Sequence, residues 1–281
     1  MKNALIILAL KLLIVALSFG QNPLAAPSID DFGFLQGNWK GVLEYTDYQD
    51  DKTKVELTTF ASFAIVDKKM NVYTTYIEPN GDAVYNTSEI FVTKKGDKVS
   101  FYKSLMTLIE RGENRMVLTC NGEDNNQKSL IRETIEWSNK ILIITKEVKY
   151  DGTETFLRRH QYRFEQESAE ATQSRLVNQA IGVWSLDLRP SPTAQSYVKD
   201  FAITAVEKGQ MSGVFYGTPF TNGQIHTAWG KLYFSFTTSD QSNTYFHSGC
   251  LEEGKMRGTS YSQSREFVMP WFSISKKNHS K

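Results

Sequence analysis

Histidine and cysteine are the scarcest chemistry-bearing side chains in this 281-residue chain, with four of the first and two of the second. His226, His247 and Cys250 are the one grouping in the C-terminal half that could hold a soft metal or pair a nucleophile with a base. Parity argues against both roles. His247 and Cys250 are three positions apart in a strand-like run, so their side chains leave opposite faces of a sheet. Cys120 and Cys250 lie far apart and neither has a C-x-x-C partner. They read as two separately packed thiols rather than a bridge or a metal site. His160 sits in Leu157–Arg163 beside Arg158, Arg159 and Arg163. This basic strip reads as a solvated strand face, with anion binding as the alternative. The acidic pairs Asp30-Asp31, Asp50-Asp51 and Glu252-Glu253 fall in turn-like segments. Adjacent carboxylates in a turn do not span the cleft of about 5–10 Å that glycoside hydrolysis uses. The sequence carries no Gly-rich phosphate loop, nucleophile elbow or zinc-protease motif. No catalytic residue, metal ligand or cofactor is therefore assigned.

The aromatic residues form a more coherent set. Alternation puts Leu232, Phe234 and Phe236 on one face of their run and Trp229 and Tyr233 on the other. Tyr245 shares a face with His247, and Phe215 with Met211. Such a set makes either a filled core or an apolar pocket with a few polar handles. Trp184, Tyr216, Trp229, Tyr245, His247 and Arg265 are the residues expected to line or rim such a pocket.

The elements that must position these residues are strands. Runs rich in β-branched and aromatic residues fill the chain from Trp39 onward, including Val55–Val66, Met70–Glu78, Val99–Leu105, Arg115–Cys120, Leu130–Trp137 and Ile141–Val148. Turn chemistry separates them, as at Pro79-Asn80-Gly81-Asp82, Asn121-Gly122-Glu123-Asp124 and Asp151-Gly152. Short turns make neighbouring strands antiparallel. Glu165–Ala180 breaks the pattern. It is rich in Glu, Gln, Ala and Ser, and Leu176, Val177 and Ala180 give it a narrow helical stripe. Strand patterns then resume at Val183–Leu188, Asp200–Val206, Gln210–Tyr216, Gln224–Thr237, Thr244–Leu251, Met256–Ser262 and Phe267–Ser275. The fold class expected is all-β: two antiparallel meander barrels joined by a short helical linker. The barrels should span 28–165 and 181–276, and the linker 166–180.

Composition bounds the compartment and the partners. With 32 basic and 31 acidic side chains the net charge is +1, so there is no global field to hold nucleic acid. Lys2, the apolar run Ala4–Phe19 and the small residues of Ser18-Phe19-Gly20 read as a signal peptide over 1–20. The run is shorter than a bilayer span and is interrupted by Lys11. The expectation is a periplasmic or extracellular protein with no membrane span after cleavage.

Both halves open alike, with Leu35-Gln36-Gly37-Asn38-Trp39 and Ala180-Ile181-Gly182-Val183-Trp184. A Gly two residues before a Trp lets the chain turn tightly into a strand, and the Trp can plug one barrel end. This Gly-x-Trp opening before a β meander resembles the calycin superfamily of lipocalins, fatty-acid-binding proteins and avidins. The first half resembles lipocalins through Gly37, Trp39 and its strand count. The second resembles avidins over Gly182-Val183-Trp184, Phe201, Ile203, Gly209–Phe215, Phe246–Cys250 and Trp271. The resemblance implies calycin-like barrels; biotin binding does not carry over. Leu186 and Phe215 stand where avidins place polar Asn and Tyr contacts, and the adjacent Tyr216 faces the other way along a strand. The chain as a whole resembles tandem-barrel exported bacterial proteins of uncharacterised function. The function expected is a non-enzymatic binding protein for a small apolar or amphipathic ligand, or for a partner on a barrel surface. The alternatives are an isomerase or hydrolase with its site in a barrel mouth, and an envelope interaction module with filled barrels.

Overall fold

The computed structural model describes residues 24–277; the signal peptide expected over 1–20 lies outside them. A 3-10 turn, Ile29–Leu35, leads into ten strands: β1 (Gly37–Thr46), β2 (Lys54–Val66), β3 (Lys69–Ile77), β4 (Ala83–Val92), β5 (Val99–Phe101), β6 (Ser104–Arg111), β7 (Arg115–Asp124), β8 (Gln127–Ser138), β9 (Ile141–Tyr150) and β10 (Leu157–Gln166). Each pairs antiparallel with the next, and β10 returns to β1, so the sheet closes. Helix α1 (Ala169–Ala180) follows. The second sheet contains β11 (Gly182–Asp187), β12 (Val198–Glu207), β13 (Gln210–Phe215), β14 (Thr218–Pro219), β15 (Thr221–His226), β16 (Leu232–Ser239), β17 (Thr244–Glu252), β18 (Lys255–Ser262) and β19 (Phe267–Lys277). Pairing of β12 with β13 closes it into eight strands, with β14 as a short flap on β13. The molecule is all-β, with two closed antiparallel barrels and one short helix between them.

The two openings are built alike. Gly37 and Gly182 have φ of +126° and +133°, a region that strains any residue with a Cβ. Two residues on, the indole N–H of Trp39 donates to the Leu35 carbonyl at 2.7 Å, and that of Trp184 to the Ala180 carbonyl at 2.8 Å. Leu35 ends the 3-10 turn and Ala180 ends α1, so each indole satisfies a carbonyl left without a partner at a helical end. The helix is more than a connector. Its N-cap Ser168 accepts from the Ala171 N–H, and Leu176 and Ala180 enter the core of the second barrel. Its Arg175 lies 4.4 Å from the Phe60 ring of the first barrel. Lys231 of the second barrel sits 3.7 Å over Tyr73 of the first.

The second barrel is filled by aromatic side chains. Phe201 is fully buried, with Phe215, Phe220, Phe234, Phe236 and Trp271 at centroid distances between 5.2 and 6.1 Å, two of them edge-on, two tilted and one stacked.

Four sequence expectations are corrected. Val99–Leu105 is two strands, because Tyr102 and Lys103 adopt φ of +43° and +71° and make a turn with no Gly or Asn to announce it. The turn expected at Asn121–Asp124 is strand, and the reversal comes at Asn125-Asn126, both with positive φ. Gln224–Thr237 breaks between His226 and Leu232, so Trp229 lies in a turn rather than on a strand face. The basic strip is a solvated face only in part: Arg158 and Arg163 stay outside on Glu44, and Arg159 leaves it. The β9–β10 register shifts between Arg158 and His160, and this bulge lets Arg159 turn inward, where it is buried on Asp124, Asp51 and the Tyr150 hydroxyl.

Close approach of strands in the second barrel depends on Gly258, where a Cβ would collide with the Trp271 ring and the Ser248 carbonyl oxygen. Gly258→Ala should destabilise the protein by ~2–3 kcal/mol in urea unfolding, from overpacking against a rigid neighbour. Gly33→Ala has nothing within 4 Å of the added carbon and should stay within about 0.5 kcal/mol of the parent.

Candidate functional site

The mouth of the second barrel holds a pocket of about 390 Å³, within the usual range for small-molecule sites. Its apolar wall is Leu188, Phe215, Phe267, Met269 and Trp271. Its polar groups arrive from four places: Tyr216 just past β13, Thr238 and Asp240 at the end of β16, Tyr245 and His247 on β17, and Ser260 and Arg265 from β18 and the turn after it. Alternation along β17 sends Tyr245 and His247 inward and Phe246 outward.

The polar side is preorganised. Asp240 accepts from the N–H groups of Ser242 and Asn243 at 2.9 and 2.7 Å, which closes the β16–β17 turn on its carboxylate. The Tyr245 hydroxyl donates to the other Asp240 oxygen at 2.7 Å, and Arg265 donates to that hydroxyl at 3.0 Å. The Tyr245 hydroxyl and the turn N–H groups hold the Asp240 carboxyl down at about 2. His247 lies deeper, with Nε2 2.9 Å from the Thr238 hydroxyl and Nδ1 2.8 Å from that of Ser260. Burial without a counter-ion lowers its pKa to about 4, so it is a neutral imidazole at physiological pH. The indole N–H of Trp271 is buried and has no hydrogen-bond partner among the described residues. The pocket thus offers an aromatic wall that includes Trp271, and an Asp240–Tyr245–Arg265 network at the rim.

Four of the six expected residues, Tyr216, Tyr245, His247 and Arg265, meet here. Tyr216 joins because it follows the last residue of β13 with φ +55°, so strand parity no longer governs it. The other two lie elsewhere. Trp184 is at the start of β11, packed into the core against α1, whereas the pocket begins past the end of that strand at Leu188. Trp229 is 54% exposed in its turn. Sequence reading missed Asp240, Ser260 and Trp271 as pocket residues. Asp240 was visible only as turn chemistry. Ser260 is paired with His247 by the β17–β18 register, which no local pattern encodes. His226 is exposed and His247 buried, so they do not converge, and Cys250 faces away from His247. Cys120 and Cys250 are not bridged. Among the described residues no three His, Cys, Asp or Glu side chains are grouped to hold a metal ion.

No protein-family model and no curated protein matches the chain. Among solved structures it is similar to a protein of unknown function from the DUF3598 family of Nostoc punctiforme. Identity is 11%, coverage 90% of this chain and 100% of that one, and TM-score 0.33. It is also similar to a provisionally assigned outer membrane protein of Bacteroides fragilis, at 10% identity, with 88% and 99% coverage and TM-score 0.24. At these TM-scores neither likeness bears on fold or function here.

The lowered pKa of His247 makes a signed prediction. An unfolded His protonates near 6.5. The contribution of His247 is therefore complete above pH 6.5 and is lost as pH falls toward about 4, up to ~3 kcal/mol. NMR titration should show its imidazole neutral down to about pH 4, and His247→Gln should flatten the acid limb of the stability profile.

Proposed function

We propose that this protein is a non-enzymatic binding protein, exported in its cellular setting, whose second barrel takes a small amphipathic molecule in its mouth. The observation that carries this reading is the convergence of Phe215, Trp271, Tyr245, His247 and Arg265 from separate strands and turns on one pocket. An apolar ligand body would pack on Phe215, Met269 and Trp271. A polar end would meet Arg265, whose guanidinium is exposed and uses one N–H on Tyr245. The Trp271 N–H offers a donor to an acceptor placed deeper. The eight-stranded barrel below is closed by its own aromatic residues, so the mouth rather than the lumen is the site. Calycin-like ancestry, avidin-like in this half, is compatible with the paired Gly-x-Trp openings and belongs to the same proposal.

Both barrels pack their apolar cores inside and carry charge on the outer face, as with Lys40 and Glu56 in the first and Arg257 in the second, and the first also buries a charge cluster at one end. A membrane-spanning barrel has the reverse pattern. No helix among the described residues is long and apolar enough to cross a membrane.

A second reading, an interaction module, is favoured by one observation. Phe246, Tyr261 and Val268 are direct cross-strand neighbours on the outside of β17, β18 and β19, and Val268 is 70% exposed. Such a row fits a partner surface.

The test uses the fluorescent amphiphile 1-anilinonaphthalene-8-sulfonate. Saturable binding is expected to the parent. Met269→Trp, which fills the pocket, should abolish it while leaving thermal unfolding cooperative. Arg265→Ala should weaken it roughly tenfold, as loss of one charged hydrogen bond does. Retention of parental affinity by Met269→Trp overturns the pocket. Loss of the signal in Tyr261→Lys instead would place the apolar site on the outer face.

A further inference from the structure

The first barrel has ten strands, two more than the number whose lumen side chains just fill. One end is packed by Phe32, Leu35, Trp39, Phe63 and Phe164. The other end is lined by tyrosines and charged side chains. Cross-strand register aligns Tyr45 of β1, His160 of β10, Lys146 of β9 and Glu133 of β8 as one inward row. Tyr76 and Tyr162 meet beside it, hydroxyls 2.9 Å apart, and the Tyr102 ring lies 6.4 Å from that of Tyr162. Tyr45, Tyr76, Tyr102, Lys146 and His160 face inward yet each keeps part of its surface accessible, so this end forms a cup.

The charges of the cup are unevenly matched. Arg159 pairs with Asp124 and Asp51, and Lys146 lies 3.3 Å from Asp124. Two cations and two anions balance. Glu133 is left over. It is 5% exposed, it has no ion-pair partner among the described residues, and its Oε2 accepts no hydrogen bond from them. Nε2 of His160, its neighbour across Lys146 in the row, is equally unpartnered. A buried carboxylate in this position is stable only with a proton or a cation beside it.

We infer that this cup binds a small primary ammonium compound, with the Glu133 carboxylate as counter-ion, His160 Nε2 as acceptor of one ammonium N–H, and the tyrosine rings facing the cation. Aromatic faces attract a desolvated ammonium, and a carboxylate completes the site. A metal ion is a poor match, since one carboxylate and one imidazole are too few ligands. The protonation states agree with an ammonium. Burial pushes Glu133 up to about 8, with Lys146 opposing, and burial holds His160 down at about 3, with Lys146 acting in the same direction. At neutral pH the cup therefore carries a protonated acid and a neutral imidazole. Binding transfers the Glu133 proton to solvent as the ammonium takes its place, so no charge is left unpaired. The inference does not depend on the pocket of the second barrel.

The test is calorimetric titration of the protein with n-butylammonium chloride, with 1-butanol as the neutral match. Butylammonium should saturate one site with a millimolar or lower dissociation constant, release a proton in buffers of differing ionisation heat, and bind more tightly as pH rises from 7 toward 8.5. Butanol should not bind. Glu133→Gln should lose roughly tenfold or more in affinity. That variant should also fold and melt higher than the parent at pH 7. Glu133 has a folded pKa of about 8 against an unfolded value near 4.5, so its charge costs stability as pH rises between them. The gain in Glu133→Gln should vanish near pH 4. Arg265→Ala should leave butylammonium binding unchanged. Equal binding of butanol, parental affinity in Glu133→Gln, or no saturation of the folded parent at roughly 50 mM amine would each overturn the inference.

Discussion

Closure is the constraint on which the rest of this structure depends. The β1–β10 and β12–β13 ladders remove the free sheet edges, and once a sheet closes, its width follows from the number of strands. Eight strands leave a lumen that Phe201 and five aromatic neighbours fill. Ten strands make a wider lumen, and the first barrel lines one end of it with tyrosines and charged side chains. The two interiors therefore differ in kind: the second is solid below a shallow mouth, and the first is solid at one end and a polar cup at the other.

Each closed sheet is anchored by the same clasp. A helical segment ends, a glycine with positive φ turns the chain, and a tryptophan two residues later folds back to hydrogen-bond the helix's last carbonyl. One side chain thus sets the entry angle of the first strand, caps a helix end and plugs the barrel. The clasp also explains why α1 is part of the second barrel's core. Ala180 must be held in place for Trp184 to reach it, and Leu176 with Ala180 supplies that anchoring burial.

Polarity is handled differently at the two mouths. In the second barrel Asp240, Tyr245 and Arg265 form a rim network in contact with solvent, and the buried His247 is satisfied by two hydroxyls. In the first barrel the charges are buried, and Arg159 carries the arrangement. Its guanidinium binds Asp124, Asp51 and Tyr150 and lies 4.6 Å from the Tyr48 ring. A planar group with five donors can serve several acceptors at once, which suits this position better than an ammonium. Neutralising Asp124 in this way is what leaves Glu133 as the unmatched acid.

Much of this is legible in the sequence. Strand existence, the facing of Leu232, Phe234 and Phe236, the opposite parity of His247 and Cys250, and the paired Gly-x-Trp openings follow from a two-residue period and from glycine's freedom at positive φ. These are local properties, and local sequence determines them. Tyr216, Tyr245, His247 and Arg265, expected as lining or rim residues, do meet at one pocket, although no local pattern brings them together. What the chain hid was set by register. The turn at Tyr102-Lys103 has no turn residues, and the bulge at Arg159 looks like ordinary strand. Trp229 left its strand because the chain had to reverse between His226 and Leu232. The alignment of Tyr45, His160, Lys146 and Glu133 pairs residues as far apart in the chain as Tyr45 and His160. Only closure of the sheet decides which of them become neighbours, because cross-strand pairing depends on the lengths of all the turns between them.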